Sequence, residues 1–377
     1  MKKRLLLSFK NVLRLTLFIL FTGGITYFTI DKIQVKNNVM DIETYSPKST
    51  LRVPEHFPTR SKFPFVDVHN HQFDMPVKDL NKLLTEMDSL NMAFMINLSG
   101  FRGIYLRKSL KNIKENAPNR FGLFLNIDFE TLDDPDFAAH TTALIADAVA
   151  QGVMGLKVYK SLGLTDTDAQ GNRIAVNDPR LFPVWKACGD HKIPVLIHTG
   201  EPASFWMPKD KYNERWLELR QKPSRYRDPA AYPSFEEVIA EQHDVFKKHP
   251  GTVFINAHLG WMGNDLDRLS EHLISHPNVQ TEIGAVLAEL GRQPKRARQF
   301  FVDFQDRILF GKDSYKVSEY YTYFRVLETG DEYFDYYRKR HAHWKLYGLS
   351  LPDSILKKVY YKNALKLFPQ LDPELFP

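Results

Sequence analysis

Residues 63–71 read Phe63-Pro64-Phe65-Val66-Asp67-Val68-His69-Asn70-His71. An apolar run with β-branched residues at 66 and 68 predicts a buried strand. Because side chains alternate along a strand, His69 and His71 leave it on the same face. Two imidazoles on one face can hold a single metal ion, but they are also common as satisfied residues at a strand end. This stretch alone leaves both interpretations open.

Seven further apolar runs follow, and stretches with helical periodicity separate them. The runs cover residues 93–98, 121–127, 153–158, 193–197, 252–257, 279–283 and 307–311. The helical patterns cover residues 77–90, 104–116, 136–150, 179–190, 235–248, 265–275 and 293–304. Eight alternating units over roughly 250 residues predict a parallel (β/α)8 TIM barrel. A doubly wound sheet is the alternative, although no Gly-x-Gly-x-x-Gly motif follows an early strand.

The rest of the chain departs from this rhythm in three places. Two long loops, 161–178 and 199–234, would lie over the C-terminal end of the barrel strands, where barrel active sites are built. The aromatic segment 314–367 is predicted to be mostly helical and to pack as a final layer of helices. The single cysteine, Cys188, excludes an internal disulfide and is predicted to be a packing residue.

The net charge of +6 belongs to the N-terminal tail. Residues 1–36 hold seven Lys and Arg against Asp31, so the remaining basic and acidic residues cancel. The high pI therefore gives no support to a nucleic-acid-binding surface.

The first 30 residues are predicted to be a signal peptide or signal anchor. Basic residues precede the uncharged stretch Leu15–Ile30, and no clear small-x-small cleavage site follows. The positive-inside rule places Lys2–Arg14 in the cytoplasm and the rest across the membrane. We therefore expect a membrane-anchored or secreted (periplasmic) protein, with a linker at 31–62 and the barrel with C-terminal helices at 63–377.

Metal-capable side chains recur at the C-terminal ends of the predicted strands. They are His69 and His71 on strand one, Lys157 in strand four, His198 on strand five, His258 on strand six and Asp313 after strand eight. Chance placement at one end of five strands would be unusual, so we favour a metal site at that end. His272 and His276 are four residues apart on one helix and are interpreted as a solvated pair near the helix C-terminus.

The ordered set resembles the amidohydrolase superfamily. Its amidohydrolase-2 branch is most similar to the segments Val66–His71, Leu196–Gly200, Ala257–Gly260 and Ile308–Asp313. The resemblance spans about residues 63–370 and implies a distorted (β/α)8 barrel that binds one or two divalent metals. Hydrolases, lactonases and non-oxidative decarboxylases all occur in that branch.

The expected chemistry is hydrolysis. A divalent ion held by imidazoles makes a bound water acidic and polarises a substrate carbonyl. We predict His69, His71, His198, Asp313 and Lys157 as metal ligands, and Asp313, His258 and Lys157 as the catalytic group. Asp313 is the natural proton acceptor, with a pKa depressed by the cation, although a helix N-cap is an alternative role for it.

Lys157 has three alternative roles. In two-metal members of the superfamily a strand-four lysine is carboxylated and bridges the ions, and Gly155–Tyr159 is similar to that segment. An unmodified ammonium has no free lone pair and cannot ligate a metal. Lys157 is therefore a bridging carbamate, an ammonium that orients an anionic substrate, or a buried residue paired with a carboxylate.

Four charged loop residues are candidate substrate contacts: Lys160, Glu201, Arg173 and Arg292. Each is also typical of a solvated surface charge. Several basic groups around a metal favour a substrate that carries a carboxylate.

The sequence thus predicts an enzyme that cleaves a C–N or C–O bond of a small amide, ester or lactone. Zinc is the expected metal, with manganese or iron as alternatives. Decarboxylation on the same site is the second hypothesis, and a non-catalytic binding protein is the third. The expected partners are a small-molecule substrate and, through the N-terminal segment, a membrane, while a homo-oligomer stays open.

Overall fold

The computed structural model describes residues 17–22, 25–26, 32, 38–338, 341 and 344–377. The chain separates into two compact units, residues 1–51 and 52–377. In the first unit, residues 17–22 and 25–26 are helical. No helix within the described residues has the length and apolarity needed to cross a membrane. Much of the predicted signal segment, including Lys2–Arg14, lies outside the described residues, and its role stays a prediction.

The second unit is built on one parallel sheet of eight strands paired in chain order. The strands are β1 (Phe65–Asn70), β2 (Met92–Asn97), β3 (Phe121–Asn126), β4 (Gly155–Val158), β5 (Val195–Ile197), β6 (Phe254–Asn256), β7 (Val279–Glu282) and β8 (Ile308–Leu309). Backbone hydrogen bonds join β8 to β1, from Val68 N to the Phe310 carbonyl (3.0 Å) and from Asp313 N to the His69 carbonyl (2.7 Å). The eight predicted strands therefore form the predicted (β/α)8 barrel, and shifts of register between β1 and β2 distort it.

Helices follow the strands around the barrel. They are α1 (Leu80–Leu90), α2 (Gly103–Asn116), α3 (Phe137–Ala150), α4 (Phe182–Asp190), α5 (Trp216–Gln221), α6 (Phe235–Lys248), α7 (Leu266–Ser275), α8 (Leu287–Arg292), α9 (Pro294–Asp303) and α10 (Val317–Glu328). Side-chain caps start several of them: Asp79 for α1, Ser234 for α6 and Asp265 for α7. All seven predicted helical patterns are helical, within a few residues at each end.

The prediction of a mostly helical C-terminal segment is wrong for residues 329–338 and 344–352. A two-stranded antiparallel ribbon of β9 (Phe334–Asp335) and β10 (Lys345–Leu346) occupies part of this stretch. Gly348 lets this stretch pack closely on the end of α10, because a Cβ there would lie 2.0 Å from the Thr329 carbonyl oxygen. Helical structure resumes in α11 (Asp353–Lys357), a π-helical turn (Lys358–Lys362) and α12 (Asn363–Leu367).

The interpretation of His272 and His276 as a solvated pair is also wrong for His272. This side chain is only 5% exposed. Its ring stacks on that of His243 from α6, with ring centroids 3.9 Å apart. The contact packs α7 against α6, which a single-helix pattern does not reveal. Cys188 is buried as predicted.

Candidate metal centre

Strand β1 brings His69 and His71 to the C-terminal mouth of the barrel. His69 is fully buried and the side chain of His71 is 15% exposed. Each imidazole is held through its Nδ1 atom, that of His69 by Glu282 Oε1 (2.9 Å) and that of His71 by Ser99 Oγ (2.8 Å). Both Nε2 atoms lie 3.6 Å from Asp313 Oδ1. The two imidazoles and the carboxylate therefore converge on one small volume.

Asp313 follows β8 with a left-handed backbone, φ 78°. Its N–H donates to the His69 carbonyl, which ties the end of β8 to β1. Burial favours the neutral carboxylic acid, but the nearby His69, His258, His71 and Lys157 outweigh it and hold the pKa of Asp313 below its usual range. The next helix begins at Val317 with Lys316 as its N-cap, so Asp313 is not a helix cap.

His258 projects from an unusual turn after β6. The backbone of His258, Leu259 and Gly260 is left-handed, with φ between 55° and 59°. The Nδ1–H of His258 donates to the Gly284 carbonyl (2.7 Å), which leaves Nε2 without a proton. Its ring centroid lies 4.8 Å from that of His69 and 4.4 Å from that of His198.

Among the described residues, two sets of three side chains could each hold a metal ion, because within each set the ligand atoms lie within 4.8 Å of one another. The first is His69, His71 and Asp313, and the second is His69, His258 and Glu282. His198 belongs to neither group, although its ring lies against His258 and 5.7 Å from Trp261. The structure thus brings three of the five predicted ligands, His69, His71 and Asp313, together and places Glu282 beside His69. A metal-binding role for each stays a prediction.

Burial keeps the histidines of the centre neutral. Desolvation is the largest cause in each case and lowers the pKa of His69 to about 3, of His71 to about 2 and of His258 to about 4. Desolvation also lowers the pKa of His198 well below its ordinary value. A neutral imidazole is the form that ligates a metal.

The residues fit a divalent metal. The Nε2 atoms of His69 and His198 and the Nζ atom of Lys157 are buried without a hydrogen-bond partner among the described residues. Leaving such atoms unsatisfied in a protein interior costs free energy. An ion ligated by the imidazole nitrogens would satisfy the two histidines, and Asp313 supplies negative charge beside them.

Lys157 lies in β4 and is 1% exposed. Burial lowers the pKa of its amine to about 7. Its Nζ atom stands 5.5 Å from the centre of the Tyr159 ring. Since Nζ has no hydrogen-bond partner among the described residues, the alternative of a lysine hydrogen-bonded to a carboxylate is not seen.

The four predicted substrate contacts fall into three places. Lys160 donates to Glu201 (2.5 Å), which also pairs with Arg227 (2.9 Å), so these charges form one network at the catalytic end. Arg173 is held by Glu237 and Glu241 of α6. Arg292 pairs with Glu214 and lies over the Trp344 ring, 3.8 Å from its centre. A substrate-binding role for each stays a prediction.

Three residues of the site were not predicted. Glu282 holds His69, Arg227 extends the charge network, and the Trp261 ring packs 4.5 Å from that of His258. The signal for Glu282 was an acidic residue near the end of an otherwise strand-like run. Arg227 and Trp261 lie in loops, where sequence periodicity gives no positional information.

A cavity of about 340 Å³ adjoins the centre through Trp261. Its lining includes Pro202, Ser204, Met207 and Tyr212 from the loop after β5, and Val286 from the segment after β7. This volume suits a small organic molecule.

Comparison with known proteins agrees with this architecture. A family model described as amidohydrolase, of the amidohydrolase-2 type, matches residues 118–370. No curated protein sequence matches the chain.

Solved structures share the fold at low identity. A 2,6-dihydroxybenzoate decarboxylase from Rhizobium is 15% identical, with a TM-score of 0.51 over 81% of this chain and 99% of its own. A dihydroxybenzoic acid decarboxylase from a Polaromonas species, with bound manganese and 2-nitroresorcinol, is 12% identical, with a TM-score of 0.51 over 83% and 99%. An uncharacterised TIM-barrel protein from Bordetella bronchiseptica is 15% identical, with a TM-score of 0.50 over 81% and 98%. Since the family model covers most of the chain, the chain belongs to the amidohydrolase family and is an enzyme.

Proposed function

We propose that this protein is a divalent-metal-dependent hydrolase that cleaves a C–N or C–O bond of a small amide, ester or lactone bearing a carboxylate. The observation that carries the proposal is the convergence of His69 Nε2, His71 Nε2 and Asp313 Oδ1 at the barrel mouth. Neutral imidazoles beside an ionised carboxylate are the donor set of a hydrolytic metal site.

His69, His71 and Asp313 would hold the ion, with His198 and Lys157 as further predicted ligands. Zinc is the proposed metal because it prefers nitrogen donors together with a carboxylate, and manganese and iron are the alternatives. When bound, such an ion polarises the substrate carbonyl and makes water more acidic.

We assign the proton transfer to Asp313. Its side chain is 34% exposed, whereas His69 beside it is fully buried, so the carboxylate is within reach of water and substrate. The ionised carboxylate accepts a proton from the attacking water at Oδ and returns it to the leaving nitrogen or oxygen when the bond breaks. His258, with Nδ1–H committed to Gly284, offers an unprotonated Nε2 as a hydrogen-bond acceptor beside it.

The surrounding charges favour an anionic substrate. Lys157 contributes a buried amine with no hydrogen-bond partner among the described residues, and the charges of Asp313 and Glu282 oppose the lowering of its pKa by burial. Arg227 adds a guanidinium that Glu201 only partly neutralises, since Glu201 also pairs with Lys160. A substrate carboxylate near Lys157 would supply the missing hydrogen-bond acceptor.

Decarboxylation is the second candidate. Two structurally similar proteins are named as decarboxylases of dihydroxybenzoic acids, and one of them contains manganese. The aromatic wall formed by Trp261 beside the ligands would suit an aromatic acid. In this alternative the same residues would hold the substrate carboxylate, whose C–C bond breaks to release carbon dioxide while a proton takes its place on the carbon.

The two reactions are separated by assaying the purified protein, loaded with zinc or manganese, on panels of lactones, amides and carboxylic acids. Hydrolysis predicts acid release without carbon dioxide, and decarboxylation predicts carbon dioxide in equal amount to substrate consumed. Asp313→Asn should lower either activity at least about 100-fold, whereas Asp190→Asn, an exposed change on α4, should leave it unchanged. Turnover that persists in chelated protein would contradict the proposal.

We also propose that the N-terminal segment exports or anchors the enzyme, so that the barrel acts outside the cytoplasm. The support is the basic start followed by sixteen uncharged residues. Fractionation of cells expressing the full chain and a chain that begins at residue 31 tests this. The full chain should be found in the membrane or periplasm and the shortened chain in the cytoplasm.

A further inference from the structure

Glu282 stands at the junction of three strand ends. It is the last residue of β7 and is fully buried. Oε1 accepts from His69 Nδ1 (2.9 Å) and from the backbone N–H of His258 (2.6 Å). Oε2 accepts from the backbone N–H of Gly284 (2.5 Å). One carboxylate therefore contacts the segments that follow or contain β1, β6 and β7.

The contact with His69 sets the position of its ring proton. A carboxylate only accepts hydrogen bonds, so the proton of a neutral His69 lies on Nδ1. The Nε2 lone pair then faces Asp313 and His71, which is the direction in which a shared ion would be ligated. An imidazole ligand oriented by a carboxylate on its other nitrogen is a recurrent arrangement in metal sites.

The contact with His258 supports a strained turn. Left-handed backbone is unfavourable for residues other than glycine, and both His258 and Leu259 adopt it. The N–H of His258 is the donor that Glu282 anchors at the start of this turn. The carboxylate thereby helps to fix the direction in which the His258 ring points.

The segment after β8, the next strand of the barrel, leaves room for the Glu282 carboxylate at Gly311. A Cβ atom on Gly311 would lie 2.2 Å from Glu282 Oε2 and 2.9 Å from the Cβ of His69. No side chain fits there unless the carboxylate or β1 moves. The glycine of the Phe310–Asp313 segment is thus explained by the position of Glu282.

We propose that Glu282 is the positioning residue of the metal centre, holding His69 with its proton on Nδ1 and anchoring the turn that carries His258. The inference rests on the proposed metal site but not on the reaction catalysed there. Two other roles give different results: Glu282 as a direct ligand, and Glu282 as a purely structural buried carboxylate.

Asp67 provides a matched control. It is a buried carboxylate on β1 that accepts from the backbone N–H groups of His69 and Lys312 (both 3.1 Å) and from the Tyr320 hydroxyl (2.6 Å). It contacts no imidazole in the described structure. Asp67→Asn therefore disturbs buried polar contacts in the same region without releasing the His69 ring.

The experiment compares the wild type, E282Q, E282D and D67N as full chains. Zinc affinity is measured by competition with a chelator, and thermal unfolding is measured on the metal-free proteins. A glutamine amide cannot accept from all three N–H donors, so E282Q should bind zinc about 10- to 100-fold more weakly. E282D, which keeps the acceptor oxygens, should recover part of the affinity. D67N should stay within a few-fold of the wild type.

A second measurement does not need metal. ¹⁵N spectra of histidine-labelled metal-free protein, with His69 assigned from its loss in His69→Asn, report which ring nitrogen carries the proton. The wild type and E282D should show the proton on Nδ1, and E282Q should show a mixture. This result stands even if the enzyme turns over none of the substrates in the panels, so failure of the proposed reaction is distinguishable.

Three outcomes would overturn the inference. In the first, E282Q binds zinc like the wild type and only unfolds at a lower temperature, which is a structural role. In the second, the visible spectrum of the cobalt-loaded protein shows that the metal has a different coordination number in E282Q than in the wild type, which makes Glu282 a ligand. In the third, the His69 ring proton stays on Nδ1 in E282Q. If E282Q does not fold, E282D and the wild type still test the inference. It would be contradicted if E282D binds zinc as tightly as the wild type and the His69 ring proton of the wild type lies on Nε2.

Discussion

The chemistry of this barrel depends on a few residues whose surroundings change their ordinary properties. Asp313 is the clearest case, because its carboxylate is near three histidines and stays ionised while partly exposed. We predict that Asp313→Asn lowers kcat by at least about 100-fold, the contribution typical of a positioned general base, with a smaller change in KM. Steady-state kinetics on the metal-loaded protein measures both. A variant with wild-type kcat would exclude Asp313 as the proton acceptor.

Lys157 supplies the second prediction at this scale. Lys157→Met keeps most of the side-chain volume and removes a buried amine that has no hydrogen-bond partner among the described residues. We expect KM for a carboxylate-bearing substrate to rise at least about tenfold, because the variant loses one charge-assisted hydrogen bond to the substrate. The matched variant Lys186→Met, on the exposed face of α4, should leave KM unchanged.

The intact mass of the wild type decides the remaining alternative for Lys157. An added carbon dioxide on the chain that is absent from Lys157→Met identifies a carbamate. In that case the variant should also lose metal, because a bridging ligand is gone. An unmodified mass together with a raised KM identifies the ammonium as the substrate contact.

At the scale of elements, the strand ends and helix faces could be predicted from the sequence because apolar periodicity reports burial. The alternation within residues 63–71 predicted His69 and His71 on one face. In the structure their rings lie side by side at the end of β1, with centroids 5.3 Å apart. The interactions of Glu282, Arg227 and Trp261 could not be predicted, because they depend on which strand ends and loops meet in space. The ribbon of β9 and β10 was missed because the aromatic residues around it suit a helix and a strand alike.

The contact between α6 and α7 gives a prediction about pH. Desolvation is the main cause that lowers the pKa of His272 to about 2 and of His243 to about 4, and His276, Arg268 and Arg307 add to it while Glu236 opposes it for His243. An unfolded histidine takes up its proton near pH 6.5, so this part of the stability is present above that pH and is lost as the pH falls below it.

His272→Leu should remove the contribution of His272 to the pH dependence of the unfolding free energy. Between pH 7 and pH 5 the wild type should lose about 2 kcal/mol of unfolding free energy more than the variant, from the linkage of one such histidine. Urea unfolding at both pH values measures the difference. His140→Leu, an exposed change on α3, should behave like the wild type. Equal losses in wild type and His272→Leu would refute the assignment.

At the scale of the whole molecule, a buried ionic cluster joins the long loop after β5 to the C-terminal region. Arg215 contacts Glu218 (3.2 Å) and His341 (2.7 Å), and all three side chains are at most 4% exposed. Burial opposes ionisation of Glu218, but the hydrogen bond from His341 and the charges of Arg215 and Arg225 lower its pKa to about 2. The cluster fixes a loop that also lines the cavity next to Trp261.

Arg215→Met should therefore act on both stability and substrate binding. The change removes one cation from a buried cluster in which Glu218 keeps Arg225 and His341, and we expect a loss of about 1.5 to 3 kcal/mol of unfolding free energy, the range of a hydrogen bond to a charged group. Chemical unfolding measures it, and Arg220→Met on the exposed side of α5 is the control. An unchanged unfolding midpoint would show that the cluster does not hold the loop.

The central claim is that imidazoles from β1 and the carboxylate after β8, far apart in sequence, ligate one cation. Anomalous diffraction from crystals of the zinc- or manganese-loaded enzyme tests it most directly. The account predicts a metal peak within about 2.0–2.3 Å of His69 Nε2, His71 Nε2 and an Asp313 oxygen. A loaded enzyme whose metal peak lies elsewhere, with these three side chains unligated, would contradict it.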